Sequence, residues 1–600
     1  MVIDAKIKSA AQEWLRQDPD ESTQKQLKDL LEREDAEALQ QAFGSRLAFG
    51  TAGLRGVMGV GPNNMNRLLI RQASAGLAHY LLEVQPHSKA KEQSVVIAYD
   101  GRHGSKIFAQ DAAGIFAALG LKVRLFDREA PTPLGAFAVK SLGTAAGVVV
   151  TASHNPPAFN GYKVYQTGGT QINAPVDGLI AGHIEKVAAS GEGPKCLSLD
   201  EAEKAGLLSY LGVDTFEDYA RHVTAFLSPN KPSSEQLARR HAIKIAYTPM
   251  HGVGDPVAQS IFSQAGFDQV WTVDEQRRPD GDFPTVKFPN PEEPGAMDLV
   301  HALADKHGAH IAIANDPDAD RLSVSARNKQ GEMKQMTGDH IGTILGDELL
   351  RRAKAAGRDM STVWSLSTIV SSRLLARLAQ ATGSKHQETL TGFKWLGAVA
   401  QRLQDQQGQQ FAFAYEEALG YMVTNEVWDK DGLSALLLLS LLAAELHEQG
   451  ETLWTRLEHI HRSCGVSVTF PRTIPLGAGV TGDGIMGKLR GNLPKTVAGR
   501  PVALVDDLLE RPKEPTDPTG IPRNDVLRFY IGEADGKSRR DIELTLPRVI
   551  IRPSGTEPKV KVYAESRIET LSEGASYEAK LAELEKDLAE IADAFKALVA

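Results

Sequence analysis

The chain has 600 residues, of which 42% are hydrophobic and 24% charged, and its formal net charge is −9. A chain of this length is too long to fold around one hydrophobic core, so we expect about three to five domains. The acidic balance argues against nucleic acid as a partner, and the two cysteines, Cys196 and Cys464, exclude a disulfide framework. The N-terminus lacks a signal-peptide core and the apolar stretch 433–444 is too short to span a bilayer, so we expect a cytoplasmic protein without membrane contact.

Helical and strand-like patterns alternate along most of the chain. Residues 1–43 have a charged helical pattern, and strand-like runs such as VVIAY, KVRLF and HIAIA then alternate with helical runs. This alternation predicts three similar α/β domains with mixed, mostly parallel sheets. The last block, rich in strands and closing with a long helix, predicts a smaller α+β domain. We place the segments at 1–43, 44–210, 211–325, 326–450 and 451–600.

The segment GVVVTASHNPPAFNGYKVY, residues 147–165, places Ser153 beside His154 at the end of an apolar run. Ser, Asn and Pro are common turn residues, so an ordinary loop is one interpretation. An exposed nucleophile is the other. Because Ser153 is not in a G-x-S-x-G context, a hydrolase is disfavoured.

A second feature is the acidic sequence NDPDADR, which follows the apolar run HIAIA. Asp316, Asp318 and Asp320 occupy alternate positions, and three carboxylates this close repel one another unless a cation lies among them. Oxygen ligands favour Mg²⁺ or Ca²⁺, but Arg321 and Arg327 replace the glycine and glutamate of a calcium EF-hand loop. A solvated acidic turn is the alternative to a divalent cation site at the end of a strand.

Further loops carry charges suited to phosphorylated ligands. A Gly-rich loop holds Arg55, a predicted helix follows Lys394, and a strand end presents Glu416 and Glu417. A guanidinium, two hydroxyls, an ammonium and a glycine form a phosphate cradle between two predicted strands, at Arg552, Ser554, Gly555, Thr556 and Lys559. A serine with a divalent cation and several anion-binding groups favours phosphoryl transfer over acyl transfer.

Four motifs in this order, TASHNP, DPDADR, the Glu-Glu loop and RPSGTEP, resemble those of the α-D-phosphohexomutases. The stretches FGTAGLRG, YDGRHGS, NGYKVY, TPMHGVG, FPTVKFPNPEEP and KDG resemble the long branch of that family, of phosphoglucomutase and phosphopentomutase type. The resemblance covers nearly the whole chain. It implies three similar α/β domains and a smaller fourth domain around a central cleft.

The resemblance also implies roles for the site residues. Ser153 would carry a phosphate, and it would hold one Mg²⁺ together with Asp316, Asp318 and Asp320. The charge of the transferred group would be neutralised by Arg55, Lys163 and Arg321, and proton transfer or phosphate contact would fall to His154 and Lys394. Glu416 and Glu417 would grip sugar hydroxyls. The non-reacting phosphate would be held by Arg552, Ser554, Gly555, Thr556 and Lys559.

The implied function is a phosphosugar mutase that interconverts glucose 1-phosphate and glucose 6-phosphate, with mannose phosphates as further substrates. A sugar bisphosphate such as glucose 1,6-bisphosphate would serve as activator and intermediate, in a monomer or dimer. Ala418 replaces the serine of the typical Glu-Glu-Ser sugar loop, which resembles phosphopentomutase-type members and makes a pentose mutase the alternative. A non-catalytic relative that binds sugar phosphates, and a phosphatase, are further alternatives. The retained Ser153 and aspartates argue against the non-catalytic relative, and the second phosphate cradle against the phosphatase.

Overall fold

The computed structural model describes residues 3–50, 53–84, 94–406, 408–477, 480–511, 521–553, 559–568, 571 and 576–599. The chain divides into two compact units. Unit 1 contains Met1–Met336 and Gly420–Gln449, and unit 2 contains Thr337–Leu419 and Gly450–Ala600. Within the described ranges, no helix is both long enough and apolar enough to cross a membrane.

Unit 1 begins with three amphipathic helices, α1 (Ala5–Gln17), α2 (Glu21–Glu32) and α3 (Ala36–Phe43). Each helix begins after an aspartate whose side chain accepts a backbone N–H of the first turn, at Asp4, Asp20 and Asp35. Their buried apolar side chains belong to the same hydrophobic core as the first sheet. The N-terminal helices are therefore packed onto the domain that follows them.

The first sheet has six strands in the order β1-β5-β4-β2-β3-β6. Its elements are β1 (Leu54–Val57), α4 (Arg67–Val84), β2 (Ser94–Tyr99), α5 (Ser105–Ala118), β3 (Lys122–Phe126), α6 (Thr132–Ser141), β4 (Ala146–Val150), β5 (Phe159–Gln166), α7 (Val176–Ala189), α8 (Leu199–Lys204) and β6 (Leu208–Leu211). Strands β4, β2, β3 and β6 are parallel, whereas β5 and β1 are antiparallel to their neighbours. Both central strands β2 and β4 are buried along their whole length, as expected for strands covered by helices on two faces.

The second sheet has five strands in the order β11-β10-β9-β7-β8. Its elements are α9 (Val213–Leu227), α10 (Ser234–Ala242), β7 (Ile245–Thr248), α11 (Asp255–Ala265), β8 (Val270–Thr272), α12 (Asp298–His307), β9 (Ile311–Asn315), β10 (Leu322–Arg327) and β11 (Met333–Gln335). Strand β7 is parallel to β8 and β9, and β10 folds back antiparallel to β9. The acidic loop 316–321 is the turn between β9 and β10.

Unit 2 begins with a third α/β layer, in which β12 is parallel to both of its neighbours, β13 and β14. Its elements are α13 (Gly338–Ala355), β12 (Val363–Thr368), α14 (Leu374–Thr382), β13 (Lys385–Thr389), α15 (Phe393–Asp405) and β14 (Gln410–Glu416). The chain then contributes β15 (Gly420–Met422) and α16 (Gly432–Glu448) to unit 1. Residues 433–444 are buried within α16, which confirms that this apolar stretch is a core helix.

The C-terminal part of unit 2 has a six-stranded sheet in the order β16-β21-β20-β19-β18-β17. Its elements are α17 (Leu453–Cys464), β16 (Val466–Pro475), α18 (Gly482–Gly491), β17 (Thr496–Val497), β18 (Arg500–Asp507), β19 (Leu527–Ile531), α19 (Arg539–Thr545), β20 (Arg548–Pro553), β21 (Lys559–Ile568) and α20 (Tyr577–Val599). All of its strand pairs are antiparallel. The predicted fold class, three α/β domains and a C-terminal α+β domain, is confirmed.

Candidate active site

Ser153 lies just beyond the carboxyl end of the central strand β4, in a tight turn. Its backbone has the left-handed conformation, with φ of +52°. The Ser153 N–H donates to Thr151 Oγ1 at 2.8 Å, and the residue is only 2% exposed. The left-handed conformation is unfavourable for a non-glycine residue, so the surrounding structure must hold Ser153 in this turn.

The acidic loop meets this serine in the folded chain. Asp316, Asp318 and Asp320 are all 0% exposed, and one ligand atom from each lies within 4.8 Å of the others. Ser153 Oγ donates to Asp316 Oδ2 at 2.9 Å. Ala319 has φ of +56°, so the loop curls and the alternate carboxylates converge. Two motifs far apart in sequence thus form one buried group.

Cationic side chains surround these carboxylates. Lys163 Nζ donates to Asp318 Oδ2 at 2.7 Å and to Asp320 Oδ2 at 2.8 Å. Arg321 Nε lies 3.9 Å from Asp320 Oδ1, and Lys430 Nζ lies 3.2 Å from Asp320 Oδ2. Burying charges of one sign alone is costly, so this pairing is what allows the acids to be buried.

The three carboxyl groups differ in ionisation. Burial, together with the other two carboxylates, raises the pKa of Asp316 well above its ordinary value. Burial opposes ionisation of Asp318 too, but the Lys163 charge and hydrogen bonds outweigh it and hold the Asp318 pKa below the ordinary value. The pKa of Asp320 is also lowered, since Lys163 and other cations outweigh burial and the Asp318 charge.

The group suits a hard divalent cation. Asp318 Oδ1 and Asp320 Oδ1 are buried, and neither has a hydrogen-bond partner within the described part of the chain. A buried carboxylate oxygen without a partner is expensive unless something else satisfies it. Oxygen-only donors from three carboxylates are the ligand type of Mg²⁺. The residues therefore fit a magnesium ion.

His154 and Arg55 lie next to this group. His154 Nδ1 is 3.3 Å from Ser153 Oγ. Burial, followed by the charges of Arg321 and Arg55, lowers the pKa of His154 well below 6.5, so its imidazole is neutral at neutral pH. Arg55 lies in β1, where its side chain is exposed and Nη1 donates to Asn155 Oδ1 at 3.2 Å.

In unit 2, β14 ends at Glu416 and the Glu-Glu loop, residues 416–418, lies at its end. Glu417 Oε2 accepts hydrogen bonds of 3.2 Å from Thr368 Oγ1 and Ser371 Oγ. The Glu417 carbonyl oxygen would lie 1.7 Å from a Cβ at residue 338, so only glycine fits there. The Glu417 side chain as a whole is half-buried, but its carboxyl group is surrounded by protein atoms. This burial and the Glu416 charge raise the pKa of Glu417 to about 8.

The cradle predicted in the C-terminal domain is described in part. Arg552 lies in β20 and donates from Nη2 to Tyr563 Oη at 3.1 Å, with its guanidinium 5.6 Å from that ring's centre. Lys559 begins β21. Burial and the Arg552 charge lower the pKa of Lys561, which also faces this region. The remaining predicted cradle residues lie outside the described residues: Ser554, Gly555 and Thr556.

Lys394 also lies in unit 2, in the first turn of α15 rather than before it, because the helix begins at Phe393 after Gly392. Its ammonium is 5.7 Å from the centre of the Trp395 ring. The predicted role of Lys394 in proton transfer or phosphate contact stays a prediction.

Lys430 and Thr132 contact the acidic loop and were not predicted as site residues. Thr132 Oγ1 donates to Asp318 Oδ2 at 2.7 Å, and its backbone N–H donates to the Asp318 carbonyl. Asp429 orients Lys430, since its Oδ1 accepts the Lys430 backbone N–H at 2.7 Å. Lys430 belongs to the KDG motif, which resembles the family but did not by itself indicate a role. Nothing in the sequence around Thr132 pointed to the site.

Four stretches of the chain match the domains described as "Phosphoglucomutase/phosphomannomutase, alpha/beta/alpha domain I", "domain II", "domain III" and "C-terminal domain". They cover residues 46–190, 217–331, 337–462 and 547–591. A Schizosaccharomyces pombe protein named "Probable phosphoribomutase" is 37% identical over 579 residues, covering 95% of both chains. A Haemophilus influenzae protein named "Probable phosphomannomutase" is 39% identical over 507 residues, covering 84% of this chain and 93% of that one.

Among solved structures, the Paramecium phosphoprotein parafusin, a phosphoglucomutase, superposes with a TM-score of 0.66 at 19% identity. The match covers 92% of this chain and 96% of that one, and at this identity it shows the fold alone. The family is Mg²⁺-dependent, in keeping with the acidic group described above. The chain belongs to the phosphoglucomutase/phosphomannomutase family and is an intramolecular phosphotransferase of the isomerase class.

Proposed function

We propose that the protein interconverts the 1-phosphate and 5-phosphate of a pentose such as ribose, with Ser153 as the phosphate carrier. The observation that carries the phosphate-carrier role is the 2.9 Å hydrogen bond from Ser153 Oγ to Asp316, within a buried acidic group. Two observations support a pentose. The sugar loop reads Glu416-Glu417-Ala418, without the serine hydroxyl, and the S. pombe relative named a phosphoribomutase matches over 95% of both chains.

In the first transfer, the bond between Ser153 Oγ and phosphorus breaks as phosphorus bonds to a free sugar hydroxyl. The hydroxyl proton moves to a base, for which the neutral imidazole of His154 is the proposed acceptor. The sugar then carries two phosphates. Transfer of the other phosphate back to Ser153 Oγ, with return of the proton, completes the isomerisation. A sugar bisphosphate is therefore both the intermediate and the proposed activator.

Charge balance supports these roles. Asp316, Asp318 and Asp320 contribute three negative charges when ionised, and Lys163, Arg321 and Lys430 contribute three positive ones. A phosphoserine would add a charge of about −2. Asp316, Asp318 and Asp320 would hold Mg²⁺, which would supply the compensating charge of +2 and would stabilise negative charge on the leaving Oγ. Arg55, which donates to Asn155 in the Ser153 loop, is proposed to contact the transferred group.

The unit 2 residues are proposed to bind the rest of the substrate. Glu416 and Glu417 would accept hydrogen bonds from sugar hydroxyls or, in the protonated form of Glu417, donate one. The non-reacting phosphate would be bound by Arg552, Ser554, Gly555, Thr556 and Lys559. The second candidate substrate is a hexose phosphate, glucose or mannose, which the H. influenzae relative named a phosphomannomutase favours.

The test is a comparison of kcat/KM on ribose 1-phosphate, glucose 1-phosphate and mannose 1-phosphate, with Mg²⁺ and the matching bisphosphate present. We expect ribose 1-phosphate to give the highest value. A higher value for either hexose phosphate would overturn the pentose assignment and favour the second candidate. No turnover of any of the three by Mg²⁺-loaded enzyme would contradict the proposed substrate class.

A further inference from the structure

Arg102 is a buried residue of the YDGRHGS motif whose guanidinium binds the Ser153 loop through its backbone. It is 4% exposed. Its Nη1 donates to the carbonyl oxygens of Pro156 at 3.0 Å and Phe159 at 3.3 Å. Its Nη2 donates to the carbonyl oxygens of Ser153 and Asn155. One side chain thus satisfies four carbonyls of the loop 153–159.

Arg102 is itself held from two sides. Its Nε lies 3.3 Å from Asp100 Oδ2, and Asp100 Oδ1 accepts the Arg102 backbone N–H at 3.1 Å. Ser105 Oγ donates to the same Asp100 oxygen at 2.6 Å. The guanidinium carbon lies 4.8 Å from the centre of the Phe283 ring, which comes from the domain that also carries the acidic loop. Through Arg102, the Ser153 loop is therefore linked to both domains that form the site.

The backbone of the Ser153 loop requires such a restraint. Ser153 has φ of +52°, a conformation that costs a non-glycine residue on the order of 1 kcal/mol or more and persists only where its surroundings impose it. Residues 154–158 lie outside the strands, and two of them are prolines that donate no backbone N–H. A planar guanidinium can bind several carbonyls while stacking on a ring, which a lysine ammonium cannot do.

We propose that Arg102 is a positioning residue for phosphoryl transfer. By binding the Ser153 carbonyl and the carbonyls after it, Arg102 fixes Ser153 Oγ against Asp316. This rests on the proposed role of Ser153 as phosphate carrier. Arg102 contacts no reacting atom in this arrangement; it acts through the backbone of the serine. Its loss should therefore lower the rate of transfer without weakening substrate binding.

The experiment compares Arg102→Lys with wild type in kcat, KM and the fraction of Ser153 phosphorylated after incubation with a sugar bisphosphate. We expect kcat to fall on the order of 100-fold while KM stays within about 3-fold, since small displacements of a reacting group mainly affect the chemical step. The phosphorylated fraction should fall as well. The matched control is Arg71→Lys, because Arg71 pairs with Asp111 in the same domain and does not touch the loop. It should retain wild-type kinetics.

Wild-type kcat in Arg102→Lys, or a raised KM with unchanged kcat, would overturn the proposal. If that variant does not fold, Phe283→Leu replaces it, since it removes only the ring beneath the guanidinium. Its kcat should fall about 5-fold at unchanged KM, and unchanged kcat would overturn the proposal. Ser153→Ala separates the two ideas: an active Ser153→Ala enzyme contradicts the phosphate carrier, whatever Arg102 does.

Discussion

The acidic loop of unit 1 and the Glu-Glu loop of unit 2 both adjoin the ends of buried strands, but Asp318 and Glu417 differ in the direction of their pKa shifts. Each places carboxylates just beyond the end of a buried strand, β9 in one case and β14 in the other. Asp318 is completely buried, yet its pKa lies below the ordinary value because Lys163 Nζ is 2.7 Å away. Burial of its carboxyl and the Glu416 charge raise the pKa of Glu417 to about 8, since its side-chain partners are the neutral hydroxyls of Thr368 and Ser371. The nearest cation, more than the depth of burial, decides whether such a carboxyl group is charged.

This difference matches the work proposed for each loop. Charged carboxylates suit a divalent cation, whereas a carboxyl group that hydroxyls surround suits neutral sugar hydroxyls. The side-chain hydrogen-bond donors to Glu417 Oε2 are the neutral hydroxyls of Thr368 and Ser371. In the acidic loop, the corresponding donor to Asp318 is the charged Lys163. The following changes test this contrast, from the largest expected effect to the smallest.

Asp318→Asn should break the acidic loop. The change replaces the Asp318 carboxylate with a neutral amide. Of the two carboxylates that Lys163 binds, only Asp320 then remains. We expect kcat to fall on the order of 10³-fold and the Mg²⁺ concentration for half-maximal activity to rise. Steady-state kinetics over a Mg²⁺ titration measure both. Asp305→Asn is the control, since Asp305 is exposed and pairs only with Arg327 among the described residues. An Asp318→Asn enzyme with an unchanged Mg²⁺ requirement would contradict this reading of the loop.

Glu417 and Asp318 should contribute to stability with opposite dependences on pH. Between pH 4.5 and about 8, folded Glu417 holds a proton that the unfolded chain has released, so the free energy of unfolding falls as pH rises through this window. The lowered pKa of Asp318 instead gives stability that is lost on acidification.

The measurement for this prediction is the urea midpoint of wild type and Glu417→Gln at pH 5.5 and pH 8. We expect the wild type to lose more stability between these two pH values than the variant does, because the variant has no titrating group at this position. Equal losses in both proteins would show that Glu417 has an ordinary pKa. Glu543→Gln, a change at a partly exposed position on α19 whose carboxylate pairs with Arg539, should behave as the wild type does.

Ala418→Ser should change the sugar preference slightly. The new hydroxyl offers one hydrogen bond of about 0.5–1.5 kcal/mol, which corresponds to about a 2- to 10-fold rise in the ratio of kcat/KM for glucose 1-phosphate to that for ribose 1-phosphate. The Mg²⁺ requirement should stay unchanged. Ala355→Ser, at an exposed position near the end of α13, serves as the control. A ratio identical in both variants would remove Ala418 from the specificity argument.

Much of the fold followed from local patterns, because hydrophobic periodicity is a local signal. The alternation of strands and helices indicated the α/β layers, and the unbroken apolar run at 433–444 indicated the buried helix α16. Mixed sheets were predicted, but the sequence did not indicate that β5 is the strand antiparallel to both of its neighbours, β1 and β4. Strand direction depends on contacts between distant segments, which a single sequence does not display.

The site shows the same limit. Ser153 and the three aspartates could be identified because each follows an apolar, strand-like run, and polar residues at the end of such a run are visible in sequence. Their contact across 163 residues could be reached only through the family resemblance. Thr132 carries no sequence signal, since its role comes from the position of the first turn of α6 beside Asp318. Arg102 lay within a motif that resembled the family, but its four carbonyl partners depend on the folded loop.

The central claim is that Ser153 carries the phosphate beside the acidic loop. The most direct measurement is the intact mass of wild type and Ser153→Ala after incubation with Mg²⁺ and a sugar bisphosphate, with peptide mapping of the modified position and turnover assayed in parallel. We expect one added phosphate on Ser153 in the wild type, and neither phosphate nor turnover in the variant. A phosphate on a different residue, or turnover retained by Ser153→Ala, would contradict it.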